Sequence, residues 1–413
     1  MPKRIAVIGS GISGLVSANL LSKKYDVTVF EANNYIGGHT HTVDVEFANQ
    51  KYAIDTGFIV FNQKTYPDFC KLLSVLDVSA QPGEMSFSFR SDGLRLEYNG
   101  NRLNTLFADR KNLFNPSFYK MLADVARFNR LAKTYLLQSN NEMSVEEFIQ
   151  RHKFSSLFTH AYFLPMAAAI WSVSPAEIYV TSARFVFQFF ANHGLLEVVN
   201  RPPWYVIKGG SRSYIAPLTQ AFRDKIVLQA EVKNIRAEQE QVILQVNNED
   251  IHFDAVVIAT HSDQALKMLA RPTTVATEIL SAIGYKDNEV VLHTDSSVLP
   301  KNKLAWASWN YLDTQNNNFG LTYYMNRLQN IDASVDFLVS VNLTHLIQPE
   351  KIIEKFSYAH PSFTPAAIKA QQRYAEINGK QNIYYCGAYW GYGFHEDGVK
   401  SAIAACAALD VTW

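Results

Sequence analysis

Cysteine is scarce in this chain of 413 residues, which contains only Cys70, Cys386 and Cys406. No two of them have the Cys-x-x-Cys spacing, so the set argues against a disulfide framework and against a zinc site. It indicates a reducing compartment. An excess of one charge is also lacking, because 38 Lys and Arg residues balance 38 Asp and Glu residues. With no net field to attract a polyanion, we expect no nucleic-acid partner.

Long uninterrupted apolar runs are missing as well. The most apolar window, residues 154–171, contains Ser155, Ser156, His160 and Pro165, so we do not expect it to span a membrane. The first predicted strand follows Met-Pro-Lys-Arg directly, and we recognise no secretory leader before it. These features predict a cytoplasmic protein, and they leave peripheral contact with the inner membrane open.

The composition is that of an ordered globular protein, with 48% hydrophobic and 18% charged residues. A chain of this length exceeds a single core and predicts two domains. Aromatic residues reach 13%, which permits a large apolar pocket. Phe185 and Phe189 share one face of a predicted helix, which is either an ordinary core helix or the wall of a substrate tunnel.

A glycine-rich turn lies near the start of the chain. Residues 5–8 predict a short buried strand, and a helix-forming run begins at Leu15. The Gly-x-Gly-x-x-Gly spacing between them predicts a dinucleotide-binding turn, in which glycines permit a tight turn, close approach to a pyrophosphate and close helix packing. The helix N-terminus would present free N–H groups to the phosphates. The predicted contacts are Gly9, Ser10, Gly11, Ile12, Ser13 and Gly14.

An acidic residue, Glu31, ends the second predicted strand. It lies 17 residues beyond Gly14, near the spacing of the acid that binds ribose hydroxyls. A carboxylate there would repel a 2′-phosphate, so the pattern disfavours NADP. The pair Gly37-Gly38 follows and favours a cofactor that extends past the first crossover. His39 and His41 could be read as a metal pair, but no cysteine or acid accompanies them and we predict no metal site.

A second strand–turn–helix pattern occurs near residue 390. Residues 382–387 predict a strand, residues 388–395 alternate aromatic side chains with glycines, and an alanine-rich helix opens at Glu396. The N-terminus of this helix would stabilise negative charge on a reduced cofactor ring. A plain NAD-binding domain does not require such a segment.

Together these segments resemble the flavin-containing amine oxidase superfamily, which includes protoporphyrinogen oxidases and phytoene desaturases. Residues 37–40 and 386–398 look like a bacterial subgroup of NAD/FAD-binding proteins that are often encoded beside cyclopropane-fatty-acyl-phospholipid synthases. The matching positions follow the order of the family: Gly9-x-Gly11-x-x-Gly14, Glu31, Gly37-Gly38, Asp55-x-Gly57, Gly209-Gly210, Glu231-Val232, Ala259-Thr260 and the closing strand and helix.

The resemblance implies an α/β fold in which an FAD-binding, Rossmann-like domain of the glutathione-reductase type is interleaved with an α+β substrate domain. Changes in composition and periodicity along the chain assign residues 1–60, 205–265 and 380–413 to the FAD-binding domain. They assign residues 61–204 and 266–379 to the substrate-binding domain. The sequence that tethers flavin in monoamine oxidases is absent, so we expect non-covalent FAD. The further implied cofactor contacts are Glu31, Ala32, Gly37, Gly38, His39, Thr40, Asp55, Thr56, Gly57, Val232, Ala259, Gly387, Glu396, Asp397, Gly398 and Val399.

Two positions depart from the family pattern, because Ala388 replaces the usual acid after the closing glycine and His39 replaces the usual arginine. The resemblance implies an FAD-dependent oxidoreductase that removes hydride from an apolar small molecule or lipid, with a fatty acyl chain suggested by the subgroup. His395 is the candidate for proton handling, and a structural histidine is the alternative.

Two other functions stay open: an amine oxidase, and a protein of this fold that binds lipid without turnover. A plain NAD dehydrogenase is disfavoured because the chain has a single dinucleotide fingerprint. No feature of the sequence identifies the electron acceptor.

Overall fold

A five-stranded parallel sheet lies at the centre of the computed structural model, which describes residues 2–138, 142–197, 201–314 and 320–413. Its strands are short and rich in Ile and Val, as expected where both faces of a sheet are covered. The strand order is β10-β2-β1-β14-β20. The bounds are Arg4–Ile8 (β1), Asp26–Phe30 (β2), Ile226–Val227 (β10), Ala255–Ile258 (β14) and Ile383–Tyr385 (β20).

Alternate residues of β1 pack against two different layers, because successive side chains of a strand point to opposite faces of the sheet. Ile5 and Val7 pack with helices α1 (Ile12–Leu21) and α15 (His395–Ala407). Ala6 and Ile8 pack with a three-stranded antiparallel sheet on the other face. The strands of that sheet are Val232–Glu238 (β11), Gln241–Val246 (β12) and Glu249–Phe253 (β13).

A seven-stranded mixed sheet forms the second large layer, in the order β19-β15-β18-β17-β16-β7-β8. The bounds are Phe87–Ser91 (β7), Leu96–Asn99 (β8), Tyr285–His293 (β15), Trp309–Asp313 (β16), Leu321–Tyr324 (β17), Leu338–Val341 (β18) and Ile352–Pro361 (β19). Two smaller sheets are the hairpin Thr42–Phe47 (β3) with Gln50–Asp55 (β4), and Val60–Phe61 (β5), Trp204–Ile207 (β9) and Ala80–Gly83 (β6).

Helices rich in phenylalanine enclose the core beside the mixed sheet. Phe128 on α4 is 1% exposed and contacts the rings of Phe148, Phe163 and Phe187 at centroid distances of 6.2, 4.9 and 5.1 Å. These helices are Pro116–Leu136 (α4), Val145–Arg151 (α5), Ser156–Phe158 (α6), Leu164–Trp171 (α7), Pro175–Val180 (α8) and Ala183–Asn192 (α9). The other helices are Pro67–Val75 (α2), Leu103–Leu106 (α3), Ile215–Thr219 (α10), Ser262–Met268 (α11), Thr274–Ser281 (α12), Met325–Leu328 (α13) and Pro365–Gln371 (α14).

The parallel sheet with helices on one face, joined to a second α+β unit, confirms the expected fold class. The parallel sheet takes strands from residues 4–30, 226–258 and 383–385, and the mixed sheet from residues 87–99 and 285–361. The two-domain division and its boundaries stay a prediction. Within the described ranges, no helix has both the length and the apolar character that crossing a membrane requires.

The buried histidine His293 on β15 predicts acid-sensitive folding. Its Nδ1 accepts the Asp295 N–H at 3.0 Å, its Nε2 lies 2.8 Å from Ser340 Oγ, and burial lowers its pKa from 6.5 to about 4. Between these values the unfolded chain binds more protons, so the stability from this residue is complete above pH 6.5 and is lost as the pH falls toward 4. From pH 7 to pH 5 the loss is about 2 kcal/mol.

We expect His293→Gln to remove this share of the pH dependence, because glutamine does not titrate. Urea unfolding of both proteins at pH 7 and pH 5 measures it. The raised pKa values of Asp55 and Asp397, each about 6, increase the free energy of unfolding as the pH falls. Both groups are present in the variant and in the parent, so their effect cancels when the two proteins are compared. An equal loss of free energy of unfolding in the variant and the parent would contradict the assignment.

Candidate functional site

The glycine turn between β1 and α1 is shaped by two contacts that exclude a side chain. A Cβ on Gly14 would lie 1.9 Å from the carbonyl oxygen of Gly9. Gly9 itself has φ +99°, and a Cβ there would lie 2.9 Å from the carbonyl oxygen of Ala259. Gly11 differs, because a Cβ on it would meet no protein atom within 4 Å. The protein therefore requires Gly9 and Gly14 for its own packing, and the space above Gly11 is open to a ligand.

The N-terminal turns of α1 and α15 lie against each other beside this opening. A Cβ on Gly398 would come within 2.8 Å of Ile12 Cγ2 and 2.9 Å of Ser13 Oγ. A Cβ on Gly38 would lie 3.2 Å from the Gly11 Cα. Two helix ends, each with partial positive charge, therefore meet in one place, which favours an anionic group.

Glu31 is buried at the end of β2, and its carboxylate already has several partners. One oxygen accepts the Ser10 N–H at 2.8 Å and the Ser10 hydroxyl at 2.6 Å. The other accepts the N–H and the side-chain amide of Asn33, both at 2.9 Å. Glu31 therefore lies next to the glycine turn, as its spacing in the sequence predicts. Because each carboxylate oxygen already accepts two hydrogen bonds, ribose hydroxyls could bind only if the Ser10 or Asn33 side chain turned away.

The remaining predicted contacts near Glu31 differ in their placement. Gly37 donates its N–H to the Ser10 hydroxyl at 3.3 Å and therefore borders the turn. Ala32 is exposed. Val232 is buried at the start of β11, in a segment held to Glu31 by the Ala230 N–H, which donates to the Glu31 carbonyl at 2.8 Å.

Asp55, at the end of β4, joins three distant segments through its buried carboxylate. One oxygen accepts the Thr42 hydroxyl at 2.6 Å and both the N–H and hydroxyl of Ser211, at 2.8 and 2.9 Å. The other accepts the Gln329 side-chain amide at 2.8 Å. Burial raises the pKa of Asp55 to about 6, although these hydrogen bonds oppose the shift. The neighbouring Thr56 hydroxyl lies 2.8 Å from His41 Nδ1.

His395, the first residue of α15, lies in a buried hydrogen-bonded group. Its Nε2 is 3.0 Å from the Thr40 hydroxyl and 3.1 Å from the Tyr214 hydroxyl, and these two hydroxyls also contact each other. Its ring stacks on Phe58 with 3.5 Å between centroids. Burial, with the nearby His39 imidazole, holds the pKa of His395 well below 6.5, so the ring is neutral at physiological pH.

The acids that open α15 are both engaged with backbone amides. Glu396 accepts the N–H groups of Asp68 and Phe69 at 3.2 and 2.9 Å, so it caps α2. Asp397 accepts the N–H groups of Tyr392 and Phe394, both at 3.0 Å, and fixes the preceding loop. Their side chains therefore hold the scaffold. Val399, on α15, is buried in the core that also contains α1, and Gly387 donates its N–H to the Ser401 hydroxyl at 2.9 Å.

Three neutral imidazoles cluster beyond the Gly37-Gly38 pair. The ring of His39 lies 6.0 Å from that of His261 and 5.7 Å from that of His360. Burial lowers the pKa of His39 and of His261 to about 4 and that of His360 to about 3. His39 Nε2 is buried without a hydrogen-bond partner. Among the described residues, no group of three side chains is arranged to hold a metal ion.

Several of these residues were missed by the sequence reasoning. Ser211 follows the recognised glycine pair Gly209-Gly210, and His261 follows the recognised Ala259-Thr260, so proximity to those motifs could have identified them. Tyr214, Gln329 and His360 carry no local signal, because they reach the site only through tertiary contacts.

The arrangement suits a dinucleotide pyrophosphate on two grounds. The backbone at Gly11 leaves open space, and two helix N-termini converge there. The space and the N–H donors of the helix ends are what a phosphate oxygen requires.

Two alanine substitutions distinguish a glycine that the protein's own packing requires, Gly14, from one that leaves space for a ligand, Gly11. Gly14→Ala should destabilise the protein by more than about 3 kcal/mol, because the new Cβ would overlap the Gly9 carbonyl. Gly11→Ala should change stability by less than about 1 kcal/mol, since its φ of −68° suits any residue. It should nevertheless weaken FAD binding at least about tenfold by filling the space for the pyrophosphate.

Urea unfolding of the apoproteins and fluorescence titration with FAD measure the two effects. If Gly11→Ala bound FAD with the affinity of the parent, the pyrophosphate would not lie above Gly11.

The chain is similar to known proteins at three levels. A family model described as flavin containing amine oxidoreductase matches residues 12–332. Tryptophan 2-monooxygenase from Allorhizobium ampelinum is 61% identical over 41 residues, which are 9% of this chain and only 6% of the length of that relative.

Solved structures match over nearly the whole chain. Cyclohexylamine oxidase from Brevibacterium oxydans IH-35A has a TM-score of 0.71 at 15% identity and covers 99% of both chains. A CLA-producing fatty acid isomerase from P. acnes has a TM-score of 0.69 at 14% identity and covers 98% of both. At these identities the structural likeness establishes the fold alone. The family model covers more than half of the sequence, and the chain therefore belongs to the flavin containing amine oxidoreductases.

Proposed function

We propose that the protein removes hydride from an apolar substrate, with a fatty acyl chain as the favoured class. The observation that carries this proposal is an aromatic wall where α9 meets the loop before α15. Phe185 lies 4.7 Å from the ring of Tyr392, and Phe189 lies 5.0 Å from that of Phe394. Trp171 closes the group, 4.9 Å from Phe189, and donates its indole N–H to the Tyr392 carbonyl at 3.1 Å.

This wall supports the tunnel interpretation of α9 and lies close to the proposed cofactor. Tyr392 and Phe394 precede His395, whose ring is held by Thr40 and Tyr214 in the segment after Gly37-Gly38. A groove of about 50 Å³ that is bounded by Trp171, Phe185 and Phe363 lies along the wall. A second cavity, of about 270 Å³, touches Tyr392 and Phe394 but is otherwise lined mainly by polar and charged side chains such as Lys64 and Lys400. An apolar chain gains free energy by leaving water for the apolar groove.

The carboxylates around the site favour an apolar substrate over an ammonium substrate. Asp55, Glu396 and Asp397 each accept at least two backbone or side-chain hydrogen bonds from the protein. A substrate cation would have to compete with these donors. The fold is compatible with acyl chemistry, since one solved structure that shares it is a fatty acid isomerase.

We assign roles to the residues as follows. Bound FAD supplies the hydride acceptor. The glycine turn and the N-termini of α1 and α15 would hold its pyrophosphate. His39 Nε2 is an acceptor, because the neutral ring uses its other nitrogen on the Ala359 backbone, so it would bind an N–H or O–H donor of the cofactor. His395 is neutral, stacked and doubly hydrogen-bonded, so of its two proposed roles we favour positioning of the Thr40 segment over proton transfer.

The purified protein and its absorbance spectrum test the proposal at two levels. Flavin bands, either as purified or after addition of FAD, are expected because the family binds FAD. Anaerobic mixing with unsaturated or methyl-branched acyl compounds should then bleach the flavin. Bleaching by amines alone, with hydrogen peroxide in air, would instead identify an amine oxidase. A flavin that is reduced by light but by none of these compounds would identify a protein that binds lipid without turnover.

A pair of phenylalanine substitutions tests the aromatic wall. Phe185→Ser should raise KM for the acyl substrate about tenfold by removing apolar contact, with little change in flavin content. Phe154→Ser is the matched control, because Phe154 is also half-buried but packs against Phe128 and Phe158. Steady-state kinetics and flavin absorbance of both variants measure the effects. Equal KM values in the two variants would count against a substrate path along α9.

A further inference from the structure

Exposed apolar side chains are concentrated on one part of the substrate-side surface. Phe114 is 87% exposed, Leu103 78%, Tyr119 47%, Leu304 46% and Leu113 42%. Four of these five lie within seventeen residues of the sequence. Single exposed apolar residues are ordinary on protein surfaces, but a contiguous group indicates an interaction site. We call these five residues the apolar patch.

The members of the patch are held together by hydrogen bonds between their segments. The Tyr119 hydroxyl donates to the Leu113 carbonyl at 3.1 Å. Arg110 donates to the Phe107 carbonyl at 2.8 Å and to the Asn104 side chain at 2.7 Å, which joins α3 to the helical turn 110–114. The Asn302 side chain donates to the Ala108 carbonyl at 2.6 Å, which brings the turn containing Leu304 to the same surface.

Hydrogen bonds and aromatic contacts also fix the backbone of the patch to the hydrophobic core. Asn115 caps α4 by accepting the N–H groups of Ser117 and Phe118 at 3.1 and 3.3 Å. Phe118 is fully buried and contacts the rings of Tyr98 and Phe107 at 5.7 and 5.6 Å. The exposed side chains therefore project from a fixed frame, so little backbone order would be lost on binding.

Basic residues surround the patch, although the chain as a whole has no net charge. Residues 97–124 contain Arg102, Arg110, Lys111 and Lys120, with the three acids Glu97, Asp109 and Asp124. Glu97 accepts the N–H groups of Lys301 and Asn302 at 2.9 and 3.0 Å, and Asp124 pairs with Arg127 at 2.7 Å. Asp109 is used locally, because it accepts the Lys111 N–H at 3.0 Å. Lys303, next to Leu304, adds another exposed cation from the second segment.

We propose that the apolar patch is a membrane-association surface that inserts Leu103 and Phe114 into an anionic bilayer while the surrounding cations bind lipid phosphates. Projecting apolar side chains with a cationic border suit the interface of such a bilayer. A second copy of this chain suits the patch less well, because pairing like surfaces would bring the same cations together. The inference does not depend on the identity of the oxidised substrate.

Flotation of the FAD-loaded full-length protein with vesicles tests the proposal. The protein should float with phosphatidylcholine vesicles that contain about 30 mol% phosphatidylglycerol, and much less with phosphatidylcholine alone. Binding should weaken when the salt concentration rises from about 0.05 M to about 0.5 M. Absence of flotation with the anionic vesicles would overturn the proposal.

Two pairs of double variants assign the binding to the patch. Leu103→Ser with Phe114→Ser should lower the vesicle partition coefficient at least about tenfold. Val75→Ser with Leu137→Ser is the matched control, because those side chains are 70% and 88% exposed but lie elsewhere. Lys111→Gln with Lys120→Gln should remove most of the salt dependence, whereas Lys23→Gln with Lys369→Gln makes the same change of net charge away from the patch.

Flavin absorbance should be the same in all four double variants, which separates this test from that of the proposed function. Equal loss of flotation in a patch variant and its control would overturn the assignment. Concentration-dependent self-association that the Leu103→Ser and Phe114→Ser changes abolish, without any vesicle binding, would identify a second copy as the occupant and also overturn it.

Discussion

The contact between the N-terminal turns of α1 and α15 is the constraint on which the candidate site depends. It requires the absence of a Cβ at Gly398, which faces Ile12 and Ser13. Hydrogen bonds and packing then place the other segments around this contact, because Gly38 approaches Gly11 and His395 holds Thr40. A larger residue at Gly398 would separate the helix ends whose partial charges favour an anion. A larger residue at Gly14 would instead displace α1 from the Gly9 turn.

The electrostatic character of the site comes mainly from the backbone. The imidazoles around Gly37-Gly38 are neutral because burial lowers their pKa values, and the nearby carboxylates are satisfied by protein N–H and O–H donors. Helix ends and free amides therefore supply the attraction for a pyrophosphate. Such dipoles are fixed by the fold, so they require little reorganisation when a charged ligand binds.

Sequence reasoning identified the features that impose a residue type. A positive φ or a contact without room for Cβ requires glycine, so Gly9, Gly14 and the segment that ends at Gly398 were visible as a pattern. The short buried strands at residues 5–8 and 382–387 were predicted for a similar reason, since burial on both faces of a sheet restricts composition. The family that the pattern suggested is confirmed by the match over residues 12–332.

Hydrogen bonds that side chains make with residues distant in the sequence could not be predicted in this way. Glu396 could be recognised at the start of α15, but nothing local indicates that it caps α2 some 330 residues earlier in the chain. Gln329 reaches Asp55 only because β4 and the turn after α13 meet in space. The substrate and the roles of the predicted contacts remain proposals because they depend on such tertiary arrangements, which many sequences satisfy with different residues.

The position of β20 in the parallel sheet has a consequence for how the protein is made. This strand pairs with β14, and the helix that follows it completes the site against α1, which is formed from the beginning of the chain. During synthesis, α1 and its glycine turn leave the ribosome long before residues 383–398 are available to join them. The nucleotide pocket is therefore completed only after β20 and α15 have been synthesised, and cofactor loading reports that these segments have assembled with α1.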